Sequence, residues 1–293
     1  MLKNHKKIKI VVGVVFVMLI LLLLSMEIVK RKGYYLIYDW IYFAIVYGIL
    51  FLAIMLCSKN KYLRWIEYVV ILVILGFNTK ALLDASENKV FIFNSHNFKN
   101  EIIIKEVVNK KHGKDSSVKT FDLKRRFYLF SKRVDEYPTE NLYRAFSSGK
   151  YKVNWISENI ATVNYLYNKY EDIKQHVYTF NFKEPISYNY VTASITGKWV
   201  DKENPNNTLI VQNNKFIYKK GEETFVYDGA NAVQKGYRAV VFQASGLAPD
   251  LSIILNEGSK IDSSCLLNKE ATIFIGHVSL KDEKYGLFKK VDR

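Results

Sequence analysis

SSGKYKVNWISENIATVNYLY, residues 147–167, alternates apolar and polar residues on both sides of a Ser-Glu-Asn break. Successive strand residues point to opposite faces, so Tyr151, Val153 and Trp155 share one side while Lys152 and Asn154 share the other. The pattern predicts a half-buried β-hairpin, and similar signals extend in both directions. Upstream lie VFIF (90–93), EIIIKEVV (101–108) and RRFYLF (125–130), and downstream HVYTFNF (176–182), with DEYPTENLYRAFSSG as a loop or short helix. After KEPISYNY the runs shorten into a meander: GKWV (197–200), TLIVQ (208–212), KFIYKK (215–220), TFVYD (224–228), RAVVFQ (238–243), LSIILN (251–256), ATIFIGHVSL (271–280) and YGLFKK (285–290). Asn213-Asn214 and the Gly-Glu-Glu at 221–223 are hairpin punctuation, and about eight short strands in so little chain predict a small antiparallel barrel or sandwich.

Before Leu83 the chain changes class. Residues 10–26, IVVGVVFVMLILLLLSM, carry no charge; at about 1.5 Å per residue they nearly cross a hydrocarbon core of about 30 Å. Residues 34–57 have Asp39 as their only charge, and residues 65–83 are uncharged between Glu67 and Lys80. These segments predict a transmembrane anchor of three helices, about 9–29, 34–57 and 65–83. No small-x-small cleavage pattern follows the first run, which argues against a secretory signal peptide, and Cys57 lacks a lipobox. Lys3, Lys6, Lys7 and Lys9 together with Lys59, Lys61 and Arg64 outnumber Lys30, Arg31 and Lys32. The positive-inside rule then places the N-terminus in the cytoplasm and everything after Leu83 outside the cell. The expected organisation is an anchor over 1–84, a β-rich extracytoplasmic domain over 85–186, and a barrel-like domain over 187–293.

Charge is localised. The full chain carries 43 Lys plus Arg against 28 Asp plus Glu. Within 110–133, nine basic residues face only Asp115 and Asp122, and this excess accounts for the whole net charge of the chain beyond Leu83. Lys119, Lys124, Arg125, Arg126, Lys132 and Arg133, interleaved with Phe121, Phe127, Tyr128 and Phe130, form the candidate surface for an anionic ligand. A strand could hold those rings inward and the cations outward, although a merely solvated basic face has the same composition.

Two motifs carry a resemblance. TGKW opening a strand meander resembles the start of lipocalin-like barrels, which implies a fold. YRAFSSGKYKVNWISENIATVNY resembles a stretch of the type dGYRPFSNGdYkikWidnn found in membrane-anchored proteins of Gram-positive bacteria, with Ala145 where those have proline. It covers roughly a third of the chain and implies a fold and a location. The Lys-, Asn-, Ile- and Tyr-rich composition resembles that of the same low-GC bacteria.

The catalytic patterns in the chain lack the context that their chemistry needs. SSGK (147–150), SYN (187–189) and KKG (219–221) reproduce the order of a penicillin-binding serine trio, but that serine must start a helix and GKYKVNW continues as a strand. His96, His112, His176 and His277 have no metal-ligand spacing. DKENPNN (201–207) reads as a polar turn and lacks the glycine and distal glutamate of an EF-hand. Cys57 and Cys265 fall on opposite sides of the class change, so no internal disulfide is expected. Within the apolar segments, Asp39 and Lys80 form a possible intramembrane pair, the alternative being that each reaches the interface alone.

The sequence thus predicts a non-catalytic, membrane-anchored extracytoplasmic binding protein without cofactor or metal. Its partner would be a protein or an envelope polyanion, lipid headgroup or teichoic acid, rather than nucleic acid. An immunity-type role against a toxin or bacteriocin is the most concrete form. The alternatives are a sensor or accessory subunit of a membrane complex and, less favoured, an envelope hydrolase.

Overall fold

The computed structural model describes residues 2–111, 114–170, 172–182, 190–244, 248–261 and 264–291, with the side chains of 2–6, 111 and 114 left out. His112, residues 187–189 of the motif trio and the expected boundary at 186/187 lie outside the described residues. The chain divides into two compact units, Met1–Phe93 with Ile102–Ser147 and Asn94–Glu101 with Ser148–Arg293. The helices and the first sheet therefore belong to one unit, a partition different from the expected 1–84, 85–186 and 187–293.

The first unit contains α1 (Leu2–Arg31), β1 (Tyr34–Leu36), α2 (Trp40–Leu56), α3 (Lys61–Ala85), β2 (Lys89–Asn94), β3 (Glu101–Lys111), β4 (Lys114–Phe127) and β5 (Phe130–Tyr137). Two of its helices, α1 over Lys7–Arg31 and α3 over Lys61–Ala85, are long and apolar enough to cross a membrane. Their apolar side chains are left outside the protein core: Leu72 is 70% exposed and Phe77 72%. The third expected span is not among these two: α2 is a shorter apolar helix of 17 residues, at the low end of the about 17–25 with which a helix crosses a bilayer. The start expected at 34 is taken by a strand instead. Tyr34, Tyr35 and Leu36 pair with Lys132, Ser131 and Phe130 of β5, so the run that reads as one apolar helix is broken by a sheet partner almost a hundred residues away.

The sheet order is β1-β5-β4-β3-β2, and its core is Ile37, Ile103 and Leu123 with Val90, Ile92 and Phe121 against them. RRFYLF does not run as one strand. Phe127 pairs with Phe130, so Tyr128 and Leu129 form the turn. No Gly, Asn or Pro marks that turn; the Arg125 Nη1 instead donates to the Tyr128 carbonyl at 2.8 Å.

The second unit contains the three-stranded sheet β6-β7-β8 (Tyr151–Trp155, Ile160–Leu166, Ile173–Thr179) and, after the short α4 (Val191–Ser194), a nine-stranded curled sheet. The hairpin read from residues 147–167 is present, with Tyr151 opposite Tyr165 and Trp155 opposite Ala161. The large sheet comprises β9 (Gly197–Asp201), β10 (Thr208–Gln212), β11 (Lys215–Lys220), β12 (Glu223–Asp228), β13 (Ala232–Lys235), β14 (Ala239–Phe242), β15 (Leu251–Leu255), β16 (Thr272–His277) and β17 (Gly286–Val291). Its first and last strands in the chain pair at the middle of the sheet, Trp199 with Lys290 and Val200 with Lys289, and its edges are β12 and β13; the sheet curls into a barrel-like body around one buried cluster. Asn213 and Asn214 both take positive φ, the geometry of the tight hairpin their sequence predicted. Within this unit, β13 is the strand that the sequence reading missed.

Inward side chains from eight of the nine strands, among them Trp199, Leu209, Phe216, Tyr227, Phe242, Ile253, Ile275 and Phe288, join one cluster. The indole of the TGKW tryptophan is fully buried there and donates to the Ile195 carbonyl at 2.8 Å. On the outside of this body, Ile160 packs with Ala239, Ile254 and Tyr285. Gln175 ties Asn164, Tyr285 and Ser252 together at 2.7–2.9 Å. Ile160 and Asn164 share the face of β7 that meets this body, and all residues of the strand are buried.

Candidate functional site at the helix ends

Both α1 and α3 lead into the same sheet, α1 through β1 and α3 through β2. The junction is held by Lys105, which directly follows the buried Ile102, Ile103 and Ile104 of β3 and whose side chain is 7% exposed. Its ammonium donates to Asp39 Oδ1 at 2.6 Å and to the Leu36 carbonyl at 3.0 Å. Asn88, just past α3, donates to Asp39 Oδ2 at 2.8 Å and accepts from the Val108 amide at 3.0 Å. The partner of Asp39 is thus Lys105 and not Lys80, which is exposed on α3. Asp39 precedes α2 at its sheet end, so its carboxylate meets the sheet before it meets a neighbouring helix. A cavity of about 410 Å³ beside this cluster is lined by Met26, Lys30, Tyr42 and Phe43 from the helices and by Leu36 and Phe130 from the sheet.

On the opposite face of β3, Glu106 is fully buried. Its carboxylate accepts from the Phe146 amide at 2.9 Å, the Ser147 amide at 3.0 Å and the Ser147 hydroxyl, with Arg144 Nε at 3.8 Å. Arg144 also donates to the Glu87 carbonyl at 2.6 Å. The YRAFSSG stretch is therefore a clamp: Phe146 packs on Phe91 and Tyr137, while Arg144 and Ser147 close on one carboxylate. Ser147 lies in a turn before β6 rather than at a helix start, so the geometry the serine-enzyme trio requires is not formed around it.

The six predicted cations share the β4–β5 hairpin but not one environment. Lys124 faces Lys132 directly across the strands, and these two, Arg126 and Lys119 are exposed. Arg125 closes the turn. Arg133 pairs with Glu136 and lies 4.2 Å over the Phe121 ring. Lys110, at the far end of the stripe, pairs with Glu87 at 2.5 Å and Asp84 at 3.4 Å.

In the second unit the Asp201 carboxylate accepts from the Glu203 amide and the Asn207 amide group, and Asn207 accepts from the Gly221 amide. DKENPNN thus spends its polar groups on its own turn and on the next one. His277, at the end of β16, is buried between the Tyr218 and Phe225 rings. Burial holds its imidazole below the ordinary 6.5, with Lys220 acting in the same direction and Glu283, Glu223 and the Asp250 carbonyl opposing. A group whose folded value is depressed contributes stability that is complete above its unfolded value and is lost as pH falls through the folded one. Thermal unfolding of the second unit should therefore shift to lower temperature from pH 7.5 to pH 5.5, and His277→Gln should flatten that shift; an equal shift in the variant would refute the assignment. Burial also pushes Tyr218 up to about 12.

No family model, curated protein or solved structure matches the chain. The residues that organise the junction, Asn88, Lys105, Glu106 and Arg144, were not singled out by sequence reasoning. A signal was present, since Lys105 and Glu106 are adjacent opposite charges inside the apolar run EIIIKEVV.

Proposed function

We propose that this chain is a non-catalytic membrane-anchored binding protein, with α1, α2 and α3 all crossing the bilayer and the β-units held on its extracytoplasmic side. The observation that carries this reading is the way α1 and α3 both end in one sheet. If both cross, both run towards that sheet, and the chain must return through α2. Its 17 residues span about 26 Å, and exposed Tyr38, Trp40 and Tyr42 supply an interfacial belt at its sheet end. The cations of the N-terminal tail and of the α2–α3 connection flank the opposite helix ends, which supports an N-terminus in the cytoplasm. The filled interior of the barrel-like body supports a ligand met on the outer surface, a protein or an envelope polyanion, and protection against a surface-acting toxin is one such role.

Cys265 is exposed and reports the side directly. In a Cys57→Ser background, a membrane-impermeant maleimide is expected to label it in intact cells. Labelling only after permeabilisation would reverse the orientation and with it the extracytoplasmic role.

A further inference from the structure

We propose that the β4–β5 hairpin is a lipid-binding wedge: Phe127, Tyr128 and Leu129 enter the membrane interface, and Lys124, Arg126 and Lys132 hold the phosphates of anionic lipids. The inference rests on the membrane-crossing reading above and adds a second point of contact with the bilayer, set by the sheet.

Depth is fixed by pairing. β1 lies between the ends of α1 and α2, and β5 pairs along it, Tyr34 with Lys132 and Leu36 with Phe130. The Ile37 amide then donates to the Leu129 carbonyl at 3.0 Å. The turn therefore sits beside residues 37–38, next to the point where the chain enters α2 at Trp40. That is the level of exposed Tyr35, Tyr38 and Trp40, residue types that concentrate at headgroup depth.

The tip has the composition of an inserting loop. Phe127 is 65% exposed, Tyr128 91% and Leu129 42%. Three consecutive large apolar residues at a turn leave a patch that water does not favour and an interface does.

The cations behind the tip call for an anion. Lys124 and Lys132 are cross-strand partners, and like charges directly opposite destabilise a sheet. Neither they nor Arg126 form an ion pair among the described residues. Lys30, Arg31 and Lys32 are exposed at the nearby end of α1. A phosphate-bearing surface would satisfy both sets at once. A soluble polyanion would satisfy the cations and leave the apolar tip in water, so the lipid surface is the better fit.

The test uses the full chain with Cys57→Ser and Cys265→Ser in lipid nanodiscs, carrying an environment-sensitive fluorophore on a single introduced cysteine, Tyr128→Cys or, as a control within α3, Ile74→Cys. Doxyl-labelled lipids are the quencher. The control probe is expected to lose most of its emission in every disc. The probe at 128 is expected to lose emission strongly in phosphatidylglycerol-containing discs and weakly in phosphatidylcholine alone, and Lys124→Glu, Arg126→Glu and Lys132→Glu together should remove that difference. Quenching at 74 with none at 128 would overturn the wedge and leave the membrane reading standing. No quenching at 74 would overturn both. Equal quenching at 128 in the two lipids would overturn the assignment of the cations to anionic headgroups.

Discussion

Glu106→Ala is expected to destabilise the helix-bearing unit by about 3–5 kcal/mol, the range for removing one partner of a buried charge network. The carboxylate is fully buried and serves two backbone amides and a hydroxyl. Its loss leaves the Phe146 and Ser147 amides without an acceptor and Arg144, 24% exposed, without its counter-charge. Each orphaned buried donor costs about 1–3 kcal/mol, which is consistent with the upper figure once relaxation is allowed. Glu106→Gln keeps one acceptor oxygen and should recover about half of the loss, while Ser147→Ala, which leaves the carboxylate with its amides and Arg144, should cost only about 1 kcal/mol. Hydrogen exchange of the full chain in detergent reads the effect locally: the 142–150 segment should open first in the alanine variant. If that segment stayed as protected as in the parent, the carboxylate would not be its clamp.

The same strand shows what the sequence could and could not say. EIIIKEVV lacks the alternation of a half-exposed strand, because Ile102, Ile103 and Ile104 are all buried, and a continuous apolar run is how a strand covered on both faces is written. The strand was legible, but its two covers were not. Lys105 meets Asp39 on one face and Glu106 meets Ser147 on the other, partners 66 and 41 residues away, and no local pattern encodes such distances. Tyr34 to Leu36 failed for the same reason, since an apolar segment before a long helix reads as helix until a strand far along the chain claims it. The β4–β5 turn failed for another, because Tyr128 and Leu129 occupy it without any turn-forming residue type. By contrast the KFIYKK–TFVYD meander was read with nearly correct bounds, its turns being Asn-Asn and Gly-containing and its pairings between neighbours. Of the candidate site, the cations were legible from composition; which of them are free was decided only by cross-strand register and by Glu136 and the turn carbonyl.

Lys105→Met is the second large effect, expected at about 2–3 kcal/mol. The figure falls below the usual loss of about 3–5 kcal/mol for a broken buried pair because the Asp39 side chain is 30% exposed and a cavity adjoins it, so water can reach the stranded carboxylate. Methionine keeps the length of the stem, and the loss therefore reports charge and hydrogen bonds rather than packing. Adding Asp39→Asn to Lys105→Met removes the stranded charge while leaving a carbonyl to accept from Asn88, and the double variant should recover most of the stability. A double-mutant cycle on thermal unfolding of the full chain in detergent measures that coupling directly. The cycle also separates two ways in which the helix ends could be fixed to the sheet. Strong coupling would mean that the ion pair is the staple, so that the level of the sheet above the helices is set by Lys105 reaching down to Asp39. Near-additive losses would mean that Asn88 alone bridges α3 to β3, with Lys105 merely sharing the Leu36 carbonyl, and the hairpin that pairs with β1 would then be held at its depth by backbone pairing without the charge.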